Sequence, residues 1–142
     1  MPQLKTYDLF ISHAWKYGDE YIKLINLLDN AFFFDYRNYS APKDKPLQNL
    51  NSTDVYTQIQ IKDAIDRKIK PVNAVLVISG MYYNYRKWMQ YEVDTATKMN
   101  KPIIAIRPYG NANTPIEISE KADITVGWNT DSIVSAIRTY AI

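Results

Sequence analysis

Hydrophobic and polar positions along this chain alternate between two rhythms. Tyr7-Asp8-Leu9-Phe10-Ile11-Ser12 is a short run rich in aromatic and β-branched residues, a buried-strand signal. Asp19 suits a helix N-cap. The helix it opens runs to about Asn30, with Tyr21, Ile22, Leu24, Ile25, Leu27 and Leu28 as a broad apolar face. Ala31-Phe32-Phe33-Phe34-Asp35-Tyr36 reads as a second strand. From Arg37 to Thr53 periodicity stops, and Pro42 and Pro46 interrupt the chain. A loop of that length in a compact domain is often functional. Thr53 or Asp54 caps the next helix, Val55 to Ile69, whose buried row is Ile61, Ala64, Ile65 and Ile69. Val72 to Ser79 is the strongest strand, nearly all apolar, as a strand covered on both faces must be.

After Gly80 the chain enters a helical stretch, Tyr85 to Asn100. Asn100 can end that helix and Pro102 prevents its return. Ile103 to Ile106 is a fourth strand, a helical turn is expected within Pro115 to Lys121, and Ile124 to Trp128 is a fifth strand. Thr130 caps a last helix carrying Ile133, Val134, Ile137 and Ala141 at helical spacing. Strand and helix thus alternate five times without repeat or linker. That predicts a single α/β domain over residues 1–142, a flavodoxin-like parallel sheet of order 2-1-3-4-5 with helices on both faces.

One residue breaks the pattern. At about 100° per residue, Trp88, Met99, Glu92, Ala96, Met89 and Val93 share one arc of the third helical stretch, and Gln90, Asp94, Thr97 and Lys98 lie opposite. The apolar arc faces a core, and Glu92 sits inside it. A carboxylate there is costly unless it is paired or opens onto a cavity. Two readings stand on pattern alone: a structural ion pair, or a working residue.

Composition narrows the chemistry. A net charge of +2 with interspersed signs gives no field for nucleic acid or an anionic membrane. No cysteine is present, which excludes disulfides, zinc fingers and thiol catalysis. His13 is the single histidine, too few for a histidine-rich metal site, and no metal is expected. No apolar run approaches membrane-spanning length and the N-terminus lacks a signal-peptide core, so the expected location is the cytoplasm.

In a sheet of this order, ligands bind outside the carboxyl ends of the strands, at the switch point between strands 1 and 3. The loop after strand 1 carries Ser12, His13, Trp15 and Tyr17. The segment after strand 3 carries Ser79, Gly80 and the start of the Glu92 helix. Trp15 and Tyr17 are candidate stacking residues by loop position. No dinucleotide fingerprint or Walker loop is present. A phospho-receiver needs acids at the ends of strands 1 and 3, where this chain has Ser12-His13 and Ser79. A serine hydrolase lacks its nucleophile elbow, and Ser12 directly precedes His13. Chemistry that one carboxylate can run remains, such as cleavage of an N-glycosidic bond through an oxocarbenium-like transition state.

Three segments in order carry a resemblance. Tyr7 to His13 resembles the opening box of TIR domains. Trp88-Met89-Gln90-Tyr91-Glu92 resembles the TIR segment in which a Trp precedes the catalytic Glu by four. Lys101-Pro102-Ile103-Ile104 is similar to the strand that follows. More narrowly, the chain resembles the short prokaryotic TIR-like group that includes the ThsB proteins of the Thoeris antiphage system. The resemblance implies NAD as substrate with no separate cofactor, and an ADP-ribose-derived, cyclic or otherwise modified signal read by a downstream effector protein. It implies Glu92 as the catalytic residue, Phe10, Ser12 and His13 along the nicotinamide-ribose side, and Trp88 as helix packing and pocket wall. Ser79 joins the substrate-binding set by its place after strand 3. Two departures stand out: Met89 replaces the usual Cys, and Arg37–Thr53 does not match the common loop that governs assembly and access. TIR–TIR self-association is a further implication. The alternatives are a non-catalytic interaction module using that loop, with Glu92 as a salt-bridge residue, and a deoxyribosyltransferase-like enzyme acting on deoxynucleosides.

Overall fold

The computed structural model describes residues 5–12, 19–39, 55–78, 86–107 and 116–142. The elements are β1 (Thr6–Ser12), α1 (Asp19–Asp29), β2 (Asp35–Asn38), α2 (Val55–Ile69), β3 (Ala74–Ile78), α3 (Arg86–Lys98), β4 (Ile103–Ile106), α4 (Ile116–Ser119), β5 (Ile124–Val126) and α5 (Thr130–Tyr140). The five strands form one parallel sheet in the order β2-β1-β3-β4-β5. This is the flavodoxin-like order that the alternating pattern predicts.

The sheet is apolar at its centre because it is covered twice. Ala74, Val75, Leu76, Val77 and Ile78 are each 0% exposed. β3 pairs with β1 through Leu9–Ala74 to Ser12–Val77, and with β4 through Val75–Ile103 to Ile78–Ile106. α3 adjoins both α2 and α4, whereas α1 adjoins α5. Right-handed crossovers place these two groups on opposite faces. The predicted buried rows are largely in place: Ile61, Ile65 and Ile69 of α2, and Ile133, Val134 and Ile137 of α5, are buried, whereas Ala64 is half-buried and Ala141 is a half-buried cap beyond the end of α5. Ile22 is the exception on α1, at the wet edge of its face and 39% exposed.

The second strand differs from the expectation. Ala31–Phe34 is a turn, and β2 begins at Asp35. Phe33 has φ 56°, a left-handed conformation that no extended strand contains. Phe32 and Phe33 point outward, 87% and 78% exposed. Only Phe34 turns in, with its ring 5.6 Å from Tyr7 and 5.8 Å from Tyr36. Arg138 holds the turn by donating from Nη2 to the Phe33 carbonyl at 2.6 Å. Arg37 and Asn38, read as loop from sequence, belong to β2. There Arg37 meets its ladder partner Asp8, with Nε at 2.6 Å from Oδ1 and Nη2 at 3.1 Å from Oδ2. The acid beside it raises the proton affinity of Arg37 further. The rest of the predicted loop, residues 40–53, lies outside the described residues. The last helix is capped one residue earlier than expected, since Asn129 Oδ1 accepts from the Ser132 N–H at 3.1 Å.

Two predictions follow from this core. Leu76→Ala leaves a void in the middle of the sheet and lowers unfolding free energy by about 3 kcal/mol, measured by urea denaturation. Burial, then the hydrogen bond to Asp29 at 2.6 Å, pushes the Tyr36 phenol above the ordinary tyrosine range. Below about pH 10 both folded and unfolded chains keep that proton; above it the unfolded chain releases it first, so stability falls with rising pH. In a series of melting temperatures above pH 10, Tyr36→Phe flattens that fall.

Candidate active site

β1 and β3 are neighbours, yet the helices that follow them leave in opposite directions, α1 toward β2 and α3 toward β4. A crevice opens at the carboxyl ends of such a strand pair because neither helix covers it. Ser12 is the last residue of β1 and lies opposite Val77, one residue before the end of β3. α3 crosses β1, β3 and β4. Met89, Val93 and Ala96 are 0% exposed and form the face that α3 turns toward the sheet. Glu92 lies among them, also 0% exposed.

The serine and the glutamate meet. Ser12 Oγ donates to Glu92 Oε1 at 2.6 Å, with both residues fully buried. That length is in the range for a hydroxyl on a carboxylate oxygen. Side chains two apart on a strand share a face, so Phe10 lies on the Ser12 side of β1, one step deeper. It is 0% exposed and part of the core beneath α3. Among the described residues, the buried polar side chains are Ser12, Glu92 and Thr95. Two of the three form this contact.

On its outer side α3 is tied to α2. Tyr91 donates its hydroxyl to Asp66 Oδ1 at 2.8 Å, and Lys62 Nζ sits 5.6 Å from the ring centroid. Partial burial and this bond to an acid raise the Tyr91 phenol above its usual range. Sequence reasoning missed this tie, since no spacing rule connects residues 66 and 91. Of the predicted site residues, the fold brings together Phe10, Ser12 and Glu92. His13, Trp15, Tyr17 and Ser79 lie outside the described residues, as does the side chain of Trp88, although its backbone is helical. Among the described residues, no group of three or more His, Asp or Glu side chains could hold a metal ion. Nor is any described helix long and apolar enough to cross a membrane.

The family model of the Thoeris protein ThsB TIR-like domain matches residues 10–113. The chain belongs to this family. The matched stretch contains Phe10, Ser12 and the whole of α3 with Glu92. Among solved structures, this TIR-like domain is similar to the CMP N-glycosidase BcmB of Clostridium botulinum, with a TM-score of 0.52. That match covers 92% of this chain and 98% of the other at 11% identity, a likeness of fold. No curated protein matches the sequence significantly.

The burial of Glu92 separates its two readings by experiment. Glu92→Gln keeps the side chain's shape and an oxygen for Ser12 while removing a buried charge. The variant melts at or slightly above the wild-type temperature. Breaking a buried structural ion pair would instead cost about 3–5 kcal/mol, roughly 10–20 °C in a domain of this size.

Proposed function

We propose that this TIR-like domain consumes NAD by breaking the bond between the nicotinamide nitrogen and C1′ of its ribose. The observation that carries this reading is a fully buried glutamate at the carboxyl end of the β1–β3 pair, where this fold class binds ligands. The electron pair of the broken bond leaves on the nicotinamide nitrogen. That nitrogen is cationic in NAD and neutral afterwards, so the departure requires no general acid. C1′ is left with oxocarbenium character, and the Glu92 carboxylate stabilises that charge. A nucleophile then bonds to C1′ and gives up a proton. Water yields ADP-ribose; a group within the same molecule yields a cyclic product; an external acceptor yields a conjugate.

Membership of the ThsB TIR-like family supports this reading and its setting in antiphage defence, with the product as a signal for a separate effector protein. The shared fold with the CMP N-glycosidase BcmB supports N-glycosidic cleavage as the reaction class and makes nucleotides the nearest rival substrates. The rival function is an interaction module without chemistry. It draws on the outward Phe32 and Phe33 and on exposed Val55, Tyr56 and Ile59.

The deciding experiment is mass spectrometry of the small molecules formed from NAD by the purified protein, beside Glu92→Gln, with CMP and deoxynucleosides in parallel. Extracts of phage-infected cells expressing each form complete the set. An ADP-ribose species that falls by at least about 10²-fold in the variant supports the proposal. Turnover of CMP or deoxynucleosides in place of NAD replaces the substrate. Unchanged small molecules throughout, with both proteins folded, overturn the enzyme reading in favour of the module.

A further inference from the structure

We infer that Ser12 is a positioning residue of this site, holding the Glu92 carboxylate in the plane that faces the substrate's ribose. This rests on the N-glycosidic reading above and assigns the serine a task other than contact with substrate. A glutamate side chain has three rotatable bonds, and the neighbours Met89, Val93 and Ala96 are apolar and fully buried. Such neighbours fill space and do not orient a carboxylate. The Ser12 hydroxyl does, at 2.6 Å from Oε1.

The anchor is held by the sheet. β1 pairs with β2 from Thr6 to Leu9 and with β3 from Leu9 to Ser12, where Ser12 is in register with Val77. Ser12 therefore has a fixed backbone, and its hydroxyl spans from the sheet to the helix above it. A buried hydroxyl without a partner costs about 1–3 kcal/mol. A serine closing a strand whose preceding residues Leu9, Phe10 and Ile11 are apolar and buried finds its acceptor in Glu92. Reacting groups must be held to within about 0.5 Å, and an error near 1 Å costs on the order of 10²-fold in rate. The contact thus converts the fixed register of β1 into a fixed carboxylate.

The test is a set of three variants, Ser12→Ala, Ser12→Cys and Ser12→Thr, with NAD and CMP as substrates. Cysteine keeps the volume and loses the strong donor; threonine keeps the donor and adds a methyl. With positioning, Ser12→Ala and Ser12→Cys lower kcat by about 10–100-fold while KM stays within about twofold, and Ser12→Thr recovers most of the rate. Crystal structures of wild type and Ser12→Ala show the carboxylate turned away in the variant. Recovery by cysteine and not by threonine, at matched melting temperatures, overturns the inference, since it would make Ser12 a space-filler. A raised KM with unchanged kcat also overturns it, because the serine would then touch substrate. If the wild type turns over neither substrate, the N-glycosidic reading fails, and the crystal structures judge the tether separately: a displaced carboxylate sustains it and an unmoved one removes it. Should Ser12→Thr not fold, the Ala and Cys variants with the two structures still decide.

Discussion

The parallel pairing of β1 with β3 is the constraint on which the site depends. It sets Leu9 against Ala74 and Ser12 against Val77, and in doing so fixes how far the polar end of β1 projects beyond the buried centre of the sheet. A slip of one residue would turn Ser12 to the opposite face and Ile11 toward α3. The apolar core prevents that slip, because residues 9–11 and 74–78 are buried as a block. The geometry of the Ser12–Glu92 contact and hydrophobic burial are therefore one requirement at this strand pair.

Much of the architecture is legible in the residues themselves. Fully apolar runs at Val75–Ile78 and Ile103–Ile106, separated by an amphipathic stretch, lead to a covered parallel sheet, and strand order follows from the fold class. Glu92 stands out because one carboxylate interrupts an otherwise apolar arc. The second strand is less legible for a local reason. Phe32, Phe33 and Phe34 have the β-propensity of a strand, but the left-handed backbone at Phe33 turns the first two rings outward. Propensity describes how a residue fits a half-buried pleat; it does not register that the chain must first turn from α1 into β2.

The contacts that finish the site are hidden from the sequence in a different way. Nothing in the local surroundings of Ser12 distinguishes a serine that lines a pocket from one that donates to a glutamate 80 residues later. The same holds for Tyr91 and Asp66, which join two helices across 25 residues. Family resemblance places Ser12 and Glu92 in one neighbourhood, and only the fold states which atom of one meets which atom of the other. The unusual position of Glu92 is thus a property of a helix, readable by periodicity, whereas its partner is a property of the assembled sheet.

The separation between Ser12 and Glu92 also bears on when the protein becomes competent. β1 leaves the ribosome before β3, so it cannot complete its edge until β3 arrives, and its serine has no glutamate until α3 has followed. Such non-local pairings are the slow part of folding, since loop-closure entropy is spent before they reward it. A nascent or partly unfolded chain therefore holds the two halves of its site apart. The Glu92 carboxylate is set against its serine only once the central strands have closed, so under the proposed function the order of assembly withholds activity from an unfinished chain.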